Sequence, residues 1–226
     1  MNYAELYCFS NFTFLTGASH PHELAEQAAE LGYEALAITD TCSVAGIPRA
    51  WAALRDSPVK LITGSHFRLC EAPPGAGPAL PEFILLARTR TGYGQLCRLI
   101  TTGRCRAEKA HYLLYPDDLR QHPLDDCLCL WLPPDTHQSG YEPAEACGLW
   151  LLRLFGERFR IAASRTLEAG EEAHLERLRR LSCDLSCSVT AVGEVHMHKR
   201  ERQPLQDVLT AIRHNTPVEQ AGHALF

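Results

Sequence analysis

The chain has 226 residues, of which 46% are apolar and 22% charged, and a formal net charge of −5. Many single α/β barrels have this length, so residues 1–226 are expected to form one domain, and the composition excludes disordered and fibrous classes. The acidic balance gives no general attraction for phosphate backbones; contact with DNA would need a local basic patch or a neighbouring domain.

No basic and apolar leader pattern opens the sequence, and no segment approaches the roughly 20 apolar residues of a membrane span. The expectation is a cytoplasmic protein with no membrane partner, whose ten cysteines are thiols rather than a disulfide framework. Cys127 with Cys129, and Cys183 with Cys187, read as small buried hydrophobes rather than as ligand pairs.

The stretch from Tyr3 to Ser19, YAELYCFSNFTFLTGAS, begins as an apolar run, breaks at Ser10-Asn11, returns at Phe12 and Phe14, and closes at Gly17. That is a first strand running into a loop, the place where α/β folds present side chains to ligands. Alternation along the strand sets Cys8 on the opposite face from Tyr7 and Phe9, toward the core. A helix follows from Pro21 to Gly32, with Leu24, Ala28 and Leu31 on one face. The run ALAIT (35–39) is a short buried strand ending at Asp40, a carboxylate at a strand terminus.

Further along, a helix over 48–55 leads to a strand over 60–69 with Gly64 at a bend. The Pro/Gly-rich loop 71–82 reads as a mobile surface excursion. Strands are expected at 83–87, 125–132, 159–163 and 189–195, and helices at 93–106, 143–155, 167–185 and 204–213. Strands alternating with helices argue for parallel strands joined by crossovers, in a barrel or an open doubly wound sheet. No Gly-x-Gly-x-x-Gly or Gly-x-x-x-x-Gly-Lys run follows any strand, which counts against a nucleotide-binding open sheet. His20 and His22 read as positions at a helix start. Arg104, Arg106 and Lys109 form a small basic cluster that reads as a solvated face.

The opening stretch, the Ile38-Thr39-Asp40-Thr41 and Thr63-Gly64-Ser65-His66 segments, and Gly193-Glu194-Val195-His196 resemble the successive motifs of the PHP (polymerase and histidinol phosphatase) family. The runs 85–101, 106–109 and 202–213 resemble in particular the version at the N-terminus of bacterial C-family error-prone DNA polymerases. The resemblance implies a distorted (β/α) barrel, TIM-barrel-like and mostly of parallel strands. It also implies a multinuclear metal cup for phosphoester hydrolysis at the C-terminal strand ends.

Compared motif by motif, the family's two leading histidines are replaced by Tyr7 and Phe9. A histidine gives way to Thr41 beside the retained Asp40, His66 stands where the family has glutamate, and Glu194 precedes a retained His196. Asp40, His66, Glu194 and His196 are thus the vestigial metal-ligand candidates, able to hold a Zn or Mn ion if they converge; otherwise they hydrogen-bond one another and cap strand ends.

The resemblance therefore implies the N-terminal part of a longer error-prone polymerase used in DNA replication, repair and damage-tolerant synthesis. This domain would act as a scaffold with a degenerate site and no cofactor of its own, the Mg ions of polymerisation lying in the palm beyond Phe226. Its partners would be the remainder of the chain, DNA through that chain, and other proteins of a mutagenic replication complex. The alternatives are a metal-dependent phosphoesterase or 3′–5′ proofreading exonuclease using the four residues, and a protein-docking module.

Overall fold

A computed structural model describes residues 3–76, 80–134, 141–165 and 170–225. By chain contacts it consists of two compact units, Met1–Gly64 with Gly193–Phe226, and Ser65–Val192.

In the first unit, β1 (Ala4–Glu5), β2 (Ala35–Ile38) and the first half of β3 (Lys60–Arg68) are parallel neighbours, with Ala4 opposite Ala35 and Leu36 opposite Leu61. Two helices cover this sheet. In α1 (Pro21–Glu30) Pro21 occupies the first turn, where its missing N–H costs nothing, and Glu23 accepts the His20 N–H at 2.8 Å. Gly32, at φ +68°, takes the chain out of the helix. The second helix, α2 (Ile47–Leu54), also begins with a proline in its first turn.

Between helices and strands lies a core of Cys8, Leu24, Ala25, Ala28, Leu36, Ile38, Ala50, Leu54 and Val59. Burying each of its larger side chains contributes roughly 2 kcal/mol. Cys8 points into this core, as alternation requires.

The expected first strand is cut short. The Glu5 carboxylate turns back to accept the Tyr7 N–H at 2.8 Å, so the ladder stops at Glu5. Strand character resumes only as a single parallel bridge between Cys8 and Val195.

The second unit continues β3 from Ser65 and adds β4 (Glu82–Ala87), α3 (Arg90–Arg106), α4 (Pro116–Gln121), β5 (Cys127–Leu132), α5 (Tyr141–Phe155), β6 (Phe159–Ser164), α6 (Glu171–Asp184) and β7 (Val189–Val192). The pairs β5–β6 and β6–β7 are parallel, but β4 and β5 are antiparallel, so the parallel arrangement expected from alternation is not complete. The excursion through α3 and α4 leaves and re-enters at the same end of the sheet: Arg88 donates its N–H to the Asp126 carbonyl at 2.9 Å, and Gln95 accepts the Asp126 N–H at 3.0 Å. A chain that returns to the end it left must run back antiparallel.

Aromatic contacts fill the interior of this unit, Phe67 against Phe83 and Trp131 against Phe159. The helix α4 is absent from the sequence expectations, because six residues are too few to display a period; its start is fixed by Asp118, which accepts the Tyr115 N–H and is gripped by Arg106 at 2.6 and 2.9 Å. Residues 77–79 of the Pro/Gly loop lie outside the described residues. The described part is tied in place, with Ala76 buried and Leu69 donating to the Pro81 carbonyl. The start of the expected helix 167–185 likewise falls outside the described residues up to 169.

Returning to the first unit, the chain ends with α7 (Gln203–Arg213) and two short 3₁₀ turns. None of the ten cysteines forms a disulfide; Cys127 and Cys129 are buried within β5, whereas Cys183 is exposed and Cys187 half-buried, contrary to expectation, because they lie at the end of α6 and in the turn after it. Among the described residues no helix is long and apolar enough to cross a membrane.

Candidate metal centre

The loop after the first strand, Ser10–Ala18, is where the site residues of the first unit meet. Asp40, fully buried just past β2, holds its near end. Its Oδ1 accepts the Ser10 N–H and the Thr13 hydroxyl, both at 2.8 Å, and its Oδ2 accepts the Ser10 hydroxyl at 2.7 Å. Burial outweighs these bonds and lifts the Asp40 carboxyl above its ordinary pKa. Thr41 adds a backbone contact, its N–H donating to the Thr13 hydroxyl oxygen at 3.0 Å.

The far end is held by His196. Its ring is buried, its Nδ1 lies 3.3 Å from the Thr16 carbonyl, and its own carbonyl accepts the Ala18 N–H at 2.8 Å. Burial drives the imidazole pKa down to about 4, with the Thr16 carbonyl opposing and the Arg213 charge assisting. Gln206 from α7 donates to the same Thr16 carbonyl at 2.8 Å, and Arg213 to the Thr16 hydroxyl at 3.2 Å.

Beside the His196 anchor stand two aromatic residues. Tyr7 and Phe9 are both buried and meet edge-on at 5.0 Å between ring centroids; Phe9 in turn lies 5.2 Å from the His196 ring. The backbone between them is stitched to the end of the chain by Val195, which donates to the Tyr7 carbonyl and accepts from the Phe9 N–H.

Glu194 is half-buried and adopts φ +52°. That left-handed residue ends the last strand at Val192 instead of the expected Val195. Leu15 in the loop and Cys42 beside Thr41 also have positive φ. Three non-glycine residues in this region are rare, and such conformations persist only where surrounding bonds over-determine them.

His66 belongs to the second unit. It is buried on β3, with Nε2 2.7 Å from Glu82 Oε1. Burial alone would raise the Glu82 pKa, but the hydrogen bond and charge of His66, with Arg68, hold it below its ordinary value. Among the described residues, no group of three His, Cys, Asp or Glu is arranged to hold a metal ion.

The other histidines serve the loop and helix ends. His20 caps α1, its ring stacked on His22 at 5.3 Å. The Ser19 hydroxyl accepts the His198 N–H at 2.9 Å and points at His198 Nδ1 at 2.7 Å. In the basic cluster, Arg106 is taken up by Asp118, and Arg104 lies over the Tyr112 ring.

One residue of consequence carried no signal in the motif comparison. Glu5 is buried and accepts the Tyr7 N–H, the Tyr3 hydroxyl at 2.8 Å and the Gly193 N–H at 2.9 Å, joining the first strand to the segment that carries Glu194 and His196. A charged residue inside an apolar strand run was the available clue. Its backbone partner lies 188 residues away.

A family model, the PHP domain, matches residues 5–166. The chain belongs to the PHP-domain family. This PHP domain is 48% identical over 224 residues to an error-prone DNA polymerase of Methylococcus capsulatus and 47% identical to one of Pseudomonas aeruginosa, in each case across 99% of this chain and 20% of the relative. The chain thus spans about a fifth of the length of these relatives, at their N-terminal end. Among solved structures, an amidohydrolase from Chromobacterium violaceum superposes with a TM-score of 0.61 at 13% identity, covering 86% of this chain and 87% of that one. At that identity the likeness speaks to the fold alone. The fold is the PHP type, α/β with mostly parallel strands.

Proposed function

We propose that this PHP domain is the N-terminal domain of an error-prone DNA polymerase and serves there as a structural scaffold, its metal cup degenerate and catalytically inactive. The polymerase assignment is supported by the identity to proteins of that name along 99% of the chain. Replication, repair and damage-tolerant synthesis are then activities of the parent protein, in the cytoplasm, with DNA and other replication proteins met through the parent chain. The Mg ions of polymerisation would belong to the palm, outside residues 1–226.

The scaffold reading is carried by one observation above all: both oxygens of Asp40 are engaged by Ser10 and Thr13. A metal ligand must direct lone pairs at the ion and keep its charge. Here both carboxylate oxygens already accept hydrogen bonds from the loop. Tyr7 and Phe9 supply apolar surface at the positions where the family has imidazoles, and Phe9 lies against the His196 ring. The residues present do not fit a multinuclear centre.

The test is elemental analysis of the purified 226-residue chain, joined to hydrolysis of a generic phosphodiester with added Mn or Zn. The expected result is no stoichiometric metal and no turnover. About one ion per chain, with turnover lost in Asp40→Ala or His196→Ala, would overturn the reading and restore a phosphoesterase or exonuclease.

A further inference from the structure

The last helix is built inside out. Successive residues of an α-helix are separated by about 100°, so Leu205, Val208 and Ile212 fall on one stripe and Gln206 and Thr210 on the opposite one. In an ordinary surface helix the apolar stripe faces inward. In α7 the polar pair is inside, Gln206 and Thr210 both at 0% exposure, while Leu205, Val208 and Ile212 are 41%, 43% and 56% exposed.

The inward side is bonded through Gln206, which holds the Thr16 carbonyl, and Arg213 at the end of the helix holds the Thr16 hydroxyl. The helix is therefore fixed in its rotation by these bonds, and it cannot turn its apolar stripe inward without breaking them. Burying the stripe requires something to come to it from outside.

What comes is set by chain length. The relatives align with this chain at their N-terminal end, and the greater part of their polypeptide follows the matched segment. The last helix precedes that continuation by 13 residues, residues 214–226. A covering segment from the same polypeptide is thus at high effective concentration beside α7, which favours it over any partner in solution.

We propose that the outward face of α7, centred on Leu205, Val208 and Ile212, seats the polypeptide that follows residue 226 in the full-length polymerase. This inference deepens the scaffold reading and rests on it: α7 is the surface by which the scaffold holds the rest of the chain.

The experiment is photo-cross-linking in the full-length protein, with p-benzoylphenylalanine introduced at Val208 and, separately, at Ile212. The two exposed positions guard against one substitution failing to fold. Mass spectrometry of digests from mixed isotope-labelled and unlabelled protein then distinguishes the partners. Cross-links to residues beyond 226 of the same chain are expected from both positions. Products confined to residues 1–226, cross-links to a second copy, cross-links to added DNA or another protein, or no product at either position would each overturn the proposal. Phosphodiester hydrolysis measured on the same preparations separates the two readings: turnover defeats the scaffold, whereas absence of the cross-link without turnover defeats only the docking face.

Discussion

Asp40 accepts both the backbone N–H and the hydroxyl of Ser10, at 2.8 and 2.7 Å, across 30 residues of sequence. With the Thr13 hydroxyl as a third donor, Asp40 is the fastening of the loop that follows the first strand. Replacing Asp40 by alanine strands these buried donors, and unsatisfied buried groups cost about 1–3 kcal/mol each. Asp40→Ala is expected to lose roughly 3 kcal/mol or more in urea unfolding. Asp40→Asn, which keeps an acceptor oxygen, should lose about 1 kcal/mol. Equal losses would mean that the charge, not the acceptor, holds the loop.

The contact of Glu5 with Gly193 gives a second expectation. A Cβ on Gly193 would sit 2.1 Å from Glu5 Oε2, and that carboxylate is buried and held by three donors. Overpacking of this kind costs about 1–3 kcal/mol. Gly193→Ala should destabilise by that amount in the wild-type background and by clearly less on top of Glu5→Ala. Additive losses in the double-mutant cycle would show that the two positions do not interact.

His196 makes stability depend on pH. Its pKa falls from 6.5 to about 4 on folding because burial disfavours the imidazolium. Above pH 6.5 the ring is neutral in both states and contributes nothing to the slope. As pH falls from 6.5 toward 4 the unfolded chain takes up a proton that the folded one refuses, so stability drops, and below about 4 the loss levels off. The drop amounts to about 3 kcal/mol. Unfolding midpoints followed between pH 7 and 4 should therefore fall more steeply for the wild type than for His196→Phe; parallel curves would refute the assignment.

On α7, the Thr210 hydroxyl is buried with no hydrogen-bond partner in the described protein. Thr210→Val keeps the shape and removes the unpaired group, so its thermal midpoint should equal or exceed that of the wild type. Gln206→Leu removes the bond to the Thr16 carbonyl and is expected to cost about 1 kcal/mol and to speed amide exchange in residues 13–17. A destabilised Thr210→Val would reveal a partner for the hydroxyl.

Much of this protein could be read from local pattern. The helix at 21–30 has its proline start, apolar face and glycine stop within a dozen residues, and the buried run at 35–38 is visible as itself. The inward direction of Cys8 likewise follows from alternation along the chain. What failed locally failed for stated causes: α4 is too short to show a period, and the first strand is ended by a side chain that captures its own backbone.

The sequence by itself therefore determined the order of the longer elements and the family, because periodicity and residue identity are properties of neighbours along the chain. The tertiary structure alone decided that β4 and β5 run antiparallel, that Glu5 reaches Gly193, that Asp40 and His196 hold the two ends of one loop, and that α7 turns its polar side inward. Each of these depends on hydrogen-bond partners or chain returns between segments distant in sequence. A buried polar group takes whichever partner folding brings within about 3 Å, and no local pattern names that partner.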